Sequence, residues 1–347
     1  MTTRFAMLLP ILLALAAARA GAGEINDLLT ALPVLSKPQA QAIPAPDGLK
    51  EFAKGVLILK GGKGVVMTGT VIIDQGPADG LEVFACLQNG KTHESVVRLG
   101  AETGPVVKAA FLTFLGTAVG PISDGVGSPE DSGLPARGTP LSVTMRWEDP
   151  DKPGSWLSTD ASCLVRDRVN DKPYPPLPFI YTGSRFMTVE ETGPGGQARK
   201  IERFMLDSTK SVVDIYDEGD ALLASPFPGS GYDKHFEVNS GLCPPVGTPI
   251  QLAFQRCELP LTLVESPTGD LRQVGQEGGG PLTDAALGGL LTAAYGAPAM
   301  PGLRALGVVV GGSTERAKDV ETRLRLLRLA VQVKAWVTPV FIPSAGR

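Results

Sequence analysis

Val56-Leu57-Ile58-Leu59, then Gly61-Gly62-Lys63-Gly64, then Val65-Val66-Met67-Thr68-Gly69-Thr70-Val71-Ile72-Ile73 is the stretch on which the fold reading turns. Both flanks are rich in β-branched residues, which suit a pleated, half-buried surface, and the glycines between them signal a turn. Two strands joined by a tight connection are expected. The same pattern continues outward. Residues 81–87 (LEVFACL) read as a third strand, and Asn89-Gly90 is a strong hairpin signal with residues 92–99 as the return strand. One helix is expected at 104–117, with Val106, Ala110, Phe111 and Phe114 on its inner face. Residues 120–140 are full of Gly, Pro, Ser and Asp and read as a loop. Strands follow at 141–147 and 156–165 around a charged proline turn (EDPDKPG), and again at 179–182, 200–206 and 211–216. A single helix among so many strands predicts an α+β domain dominated by antiparallel sheet.

From residue 258 the pattern changes. Strands at 261–264 and 271–274 flank the turn Pro267-Thr268-Gly269-Asp270. Thr283 then caps a helix through Tyr295, Leu306 to Val310 reads as a short buried strand, and Ser313 or Thr314 opens a long helix. In that helix Ala317, Val320, Leu324, Leu327 and Val331 fall at steps of three and four, which predicts one apolar stripe. Its Arg316, Lys318, Arg323, Arg325, Arg328 and Lys334 read as a solvated face with local ion pairs. A last strand is expected at 336–342. The order strand, strand, helix, strand, helix, strand predicts a small α/β two-layer C-terminal domain.

The N-terminus carries Arg4, an apolar run at residues 5–17 (FAMLLPILLALAA) and small residues around 18–22. A basic start, a short apolar core and an A-x-A site are the marks of a secretory signal peptide. The run is too short for a membrane span, which needs about 20 apolar residues. The expected plan is a signal at 1–20, a short helix and a Pro/Ala/Gln linker at 21–50, and domains at 51–257 and 258–347. Export to the periplasm or the extracellular space follows, with no transmembrane segment once the signal is cleaved.

A formal charge of −4, made more negative when Arg4 and Arg19 leave with the signal, argues against nucleic acid as partner. The four cysteines, Cys86, Cys163, Cys243 and Cys257, form no C-x-x-C and fit no zinc or iron–sulfur spacing. In an oxidising compartment they read as disulfides, with Cys243–Cys257 as a local bridge and Cys86 and Cys163 as a second pair or as buried thiols. Only His93 and His235 are present, so no multi-histidine metal site exists within one chain, and no metal or cofactor is expected. Gly278-Gly279-Gly280 lacks the flanking residues of a phosphate loop and reads as a connector.

Chemistry, if any, would centre on His93, Glu94 and Ser95. Neighbours in an extended strand point to opposite faces, so these three do not converge unaided. The ordinary reading of His93 is a hydrogen-bonded residue holding a turn.

Asn89-Gly90-Lys91-Thr92-His93-Glu94-Ser95, Tyr181-Thr182-Gly183-Ser184-Arg185-Phe186, Val213-Asp214-Ile215-Tyr216 with Asp220-Ala221-Leu222-Leu223, and Pro244-Pro245-Val246-Gly247-Thr248-Pro249 occur in the order and rough spacing of YdjY-type domains. Residues 51–257 thus resemble an exported bacterial family without an established activity. The resemblance implies one candidate ligand face carrying His93, Glu94, Ser95 and Arg185. Structural roles are the competing reading: a positive φ at Gly183, and an ion pair from Arg185 to Asp217 or Glu218. The element order of 258–347 resembles, more loosely, the periplasmic domain of ExbD/TolR-type proteins, without their membrane helix and its acidic residue. Together these features predict an exported, non-catalytic envelope module that binds an envelope protein, a peptide or a wall polymer. A hydrolase built on His93 and Glu94 and a redox protein using its cysteines are the rival expectations.

Overall fold

The computed structural model describes residues 24–25, 27–28, 30–33, 35, 37–77, 79–115, 135–192, 196–216, 219–227, 235–275, 280–296, 303–311 and 316–344. The signal-like segment, most of the Gly/Pro loop after residue 115, the Gly278–Gly279 pair and the proposed helix start at Ser313 or Thr314 lie outside them.

The opening stretch is strand as read: β3 (Val56–Leu59) and β4 (Gly64–Val71) follow β1 (Gln41–Ile43) and β2 (Leu49–Ala53). Next come β5 (Val83–Cys86), β6 (Ser95–Leu99), helix α1 (Gly104–Leu115), β7 (Thr139–Glu148), β8 (Trp156–Asp160), β9 (Val165–Asp167), β10 (Lys172–Pro173) and β11 (Phe179–Tyr181). The hairpin β12 (Phe186–Thr192) and β13 (Ala198–Phe204) leads into a short α2 (Met205–Thr209), then β14 (Ser211–Asp214), β15 (Leu223–Ala224), β16 (Phe236–Val238) and β17 (Pro249–Arg256). The C-terminal part holds β18 (Leu261–Glu265), β19 (Leu271–Gln273), α3 (Asp284–Tyr295), β20 (Ala305–Val310), α4 (Arg316–Gln332) and β21 (Thr338–Pro343).

Eight of these strands close on themselves in the order β7, β11, β15, β14, β5, β6, β4, β17 and back to β7. Strand β17 closes the ring, pairing with β4 along one edge (Leu252 opposite Met67) and with β7 along the other (Leu252 opposite Met145). Close approach at the seams demands glycine. A Cβ on Gly64 would lie 2.5 Å from the Phe254 carbonyl oxygen, and one on Gly138 would lie 2.2 Å from that of Tyr181. Strands β8 and β1 extend the sheet outward from β7, and β3 and β2 extend it from β4.

Helix α1 supplies the plug. Phe111 stacks on Tyr181 of β11 with ring centroids 5.5 Å apart and meets Phe254 of β17 edge-on at 5.1 Å. Phe84, Phe179 and Phe227 continue the ring chain, so side chains fill the interior, as expected of an eight-stranded barrel.

The C-terminal sheet runs β19-β18-β20-β21. It is tied to the barrel where Arg137 bridges Phe341 and Gly138 N–H donates to the Phe341 carbonyl at 3.0 Å. Ile180 and Ala224 of the barrel pack there on Ala305 and Val340.

Four expectations are corrected. The fold is mainly β, with 39% strand against 22% helix around a closed barrel, where an α+β pair of domains with an antiparallel sheet was expected. Local patterns specify strands, but ring closure depends on partners far apart in sequence. Second, β5 and β6 pair in parallel, so Asn89-Gly90 turns no hairpin. Asn89 does take the left-handed conformation, at φ 62°, within a connection that carries the chain back to the start of β5. Third, α1 buries Val107, Ala110, Phe111 and Leu115, leaving Val106 exposed. Fourth, the deepest face of α4 includes Asp319, Thr322 and Arg323 beside Leu326, Leu327, Leu329 and Ala330, while Val320, Leu324 and Val331 are half-buried. Its surface arginines pair with other elements: Arg325 with Asp284 at 2.6 Å and Arg328 with Glu24 at 2.5 Å.

Candidate functional site

The structure spreads the sequence candidates over two turns. Lys91 Nζ lies 2.9 Å from Glu82 and 3.2 Å from Glu94, which pins the connection between β5 and β6. His93 is 80% exposed, with Nε2 3.7 Å from a Glu94 oxygen. Ser95 is fully buried and its hydroxyl donates to the Lys91 carbonyl at 2.6 Å. A hydroxyl committed to a carbonyl inside the sheet, below an imidazole facing water, lacks the nucleophile–base contact that hydrolysis needs. Arg185 stands in another turn, where Nε donates to Asp220 Oδ1 at 2.7 Å and its carbonyl accepts from Met205 N–H. Its carboxylate partner is thus Asp220. Gly183 takes the expected positive φ, at 83°, and Ser184 beside it has φ 56°.

All four cysteines are free thiols. Cys243 approaches the Ile73 carbonyl at the Pro249 end of β17, and Cys257 follows Arg256 at the opposite end. Eight strand residues separate those ends by roughly 23 Å, far beyond the Cα spacing of a disulfide. Burial pushes each thiol up, Cys243 to about 12 and Cys257 to about 11. The reactive thiolate is therefore scarce near neutral pH, which disfavours redox or nucleophilic use.

What the structure brings together is a groove at the barrel rim, about 440 Å³ in volume. Two segments meet there: the end of β7 with Asp149, Pro150 and Asp151, read in sequence as a charged proline turn, and the run from Gly241 to Thr248, which overlaps the Pro244–Pro249 motif. Trp147, Leu157, Leu242, Pro244 and Pro245 give it an apolar lining, while Pro38, Gln39 and Ala40 of the linker form a wall. That wall is fixed because β1 adds to the edge of β8, with Gln41, Ala42 and Ile43 opposite Ser158, Leu157 and Trp156. Glu148, Asp149 and Asp151 make the rim acidic. Glu148 accepts from Gly154 N–H at 2.6 Å and Asp149 from Asp151 N–H at 3.0 Å, which holds the turn open. Among the described residues no His, Cys or Ser lines the groove; its polar side chains are Gln39, Glu148, Asp149, Asp151 and Thr248.

At the end of β8 away from the groove, Asp160 carries a buried carboxyl. Burial pushes the Asp160 carboxyl up to about 6, and its side chain caps nothing although it precedes a 3-10 turn. A folded-state value above the unfolded value of about 3.9 means that the fold favours the protonated form. The stability from this group is present below about pH 4 and is lost as pH rises toward 6. Asp160→Asn is expected to raise stability near pH 7.5 by up to ~3 kcal/mol and to change it little near pH 4. Urea midpoints at the two pH values check this, and equal midpoints of variant and parent at pH 7.5 would refute it.

Fold and groove together define a class: a closed, side-chain-filled β-barrel with an apolar, acid-rimmed groove at one end. Comparison with family models, with curated proteins and with solved structures finds no match to this chain.

Proposed function

We propose that this protein is an exported, non-catalytic envelope module that binds a partner protein, a peptide or a wall polymer through the rim groove. One observation carries the reading: an apolar groove of about 440 Å³, walled by Trp147, Leu157, Leu242 and prolines and rimmed by Glu148, Asp149 and Asp151. A volume in the ordinary range for ligand sites, in a chain whose barrel interior is already filled, leaves the rim as the place where a ligand fits. The signal-like N-terminus supports the compartment. Among the described residues no helix is long and apolar enough to cross a membrane. The acids favour a ligand segment that brings positive charge to an apolar surface.

A photo-crosslinking residue placed at Gln39 or Asp151 in the full chain, expressed in its native host, tests the proposal. A discrete adduct in the envelope fraction is expected from both positions and not from exposed Thr192 on the β12–β13 hairpin. Adducts of equal yield from all three sites, or none from the groove, would refute it.

A further inference from the structure

The rim groove has a floor, three walls and one open side. The register places Trp147 of β7 opposite Leu157 of β8, and Leu157 opposite Ala42 of β1, so the three form one row across the sheet and share a face. Trp147 and Leu157 are the floor. Beyond Trp147 lies β17, where Ile250 pairs with it, and the wall on that side is the run that leads into β17. Residues 38–40 precede Gln41 and wall the end where β1 begins. Asp149 and Asp151 follow Glu148, which stands level with Trp156 and Ile43, and they wall the other end. The remaining side runs out over Ala42, whose side chain is exposed, to the outer edge of β1.

That edge is open. Among the described residues β1 pairs with β8 alone, and residues 38–43 have no other hydrogen bond or ion pair. Unpaired backbone groups along an edge are a template for another strand, and proteins commonly guard such edges with charge. Strand β2, at the far end of the same sheet, carries Lys50 and Glu51. Strand β1 reads Gln-Ala-Ile and carries none. Pro38 and Pro44 flank it and keep any added ladder to a few residues, because proline has no N–H to give. The acids at the end wall also lack a counter-charge. Among the described residues Glu148, Asp149 and Asp151 form no ion pair, even with Lys152 of the same turn.

Resting on the reading of the groove as a ligand site, we infer that its occupant is an extended, basic polypeptide segment that adds as a strand to the outer edge of β1. A strand laid about 4.8 Å beyond β1 carries the row onward. Its residue level with Ala42 then points to the groove face, and the residues on either side point away. A small or β-branched side chain at that position covers the open side. The backbone of the segment takes up the free N–H and C=O groups of residues 41–43. A Lys or Arg in the part nearest Ile43 meets the end wall of Asp149 and Asp151. A saccharide polymer has no evenly spaced amides to match such an edge, so the polypeptide is the class of partner that fits.

Selection of random linear peptides displayed on phage, with the mature protein as target, tests this. Enriched sequences are expected to carry Lys or Arg beside an alternating run of small or β-branched residues. The best of them, made synthetically, should lose about tenfold or more in affinity when alternate backbone nitrogens are methylated in one phase. Methylation in the other phase should change little, since only one set of N–H groups faces β1. Asp151→Lys and Ala42→Arg, both at exposed side chains, should each weaken the peptide about tenfold while keeping the parent's urea midpoint. No enriched sequence, a consensus without positive charge, or equal loss from both methylation phases would overturn the assignment. If any of these occurs while the crosslinks at Gln39 and Asp151 still form, the groove stands as a ligand site and only the added strand is removed. Loss of the crosslinks as well removes both.

Discussion

Phe111→Ala is expected to destabilise the protein by about 3–5 kcal/mol, the range seen when a large aromatic is cut from a core. Phe111 is fully buried and comes from α1, outside the ring of strands. Its ring lies between Tyr181 and Phe254, which sit on opposite flanks of β7 in the closed sheet. Removing it leaves a void that rigid, paired strands cannot collapse to fill, so the cavity contribution adds to the lost transfer energy. Phe111→Leu keeps most of the volume and should cost about half as much or less. Leu112, the next residue, is 40% exposed, and Leu112→Ala should stay within roughly 0.5 kcal/mol. Equilibrium urea unfolding of the three variants provides the check. A loss below about 1 kcal/mol for Phe111→Ala would show that the helix does not plug the barrel.

A comparable loss is expected where the C-terminal part meets the barrel. Arg137 donates from Nε and Nη2 to both oxygens of Asp319 at 2.7 and 2.8 Å, with side-chain exposures of 4% and 0%. Glu265, whose carboxyl burial pushes up, is hydrogen-bonded to Thr322 beside this pair. Asp319→Ala leaves the Arg137 charge buried without its carboxylate and should cost about 3–5 kcal/mol. Replacing both partners, Arg137→Met with Asp319→Leu, should recover most of that loss, since an apolar pair of similar volume carries no desolvation penalty. Hydrogen exchange locates the effect. In Asp319→Ala, amides of β20, β21 and α4 should lose protection before those of β4 and β17. Uniform loss across the chain, or a double variant as weak as the single one, would contradict this role for the pair.

How far the sequence could be read differs by residue. The Thr283 cap was legible because capping is local: its hydroxyl accepts from Ala286 N–H within a four-residue window. The strands 56–59 and 64–71 were legible for the same reason. The buried face of α4 was not. Apolar spacing picks out Val320 and Leu324, but the helix turns Asp319 and Arg323 inward because Arg137, 182 residues away in the chain, supplies the charge that makes burial of Asp319 tolerable. The candidate face at His93, Glu94, Ser95 and Arg185 came from motif order, and motif order carries no distances. Only the Pro244–Pro249 run of the rim groove stood out in the sequence, and nothing in that motif says what it packs beside. Trp147, Leu242 and Pro245 meet only after the barrel closes.

By itself the sequence determined where most strands and helices form and which turns carry glycine, because these depend on residues a few positions apart. Tertiary structure alone decided that the strands shut into a barrel, that β5 and β6 run parallel, that the cysteines stay apart, and where the rim groove opens. Those outcomes depend on which distant edges pair and which charges are left buried without a partner, and such long-range balances of burial and pairing leave no local mark in the order of residues.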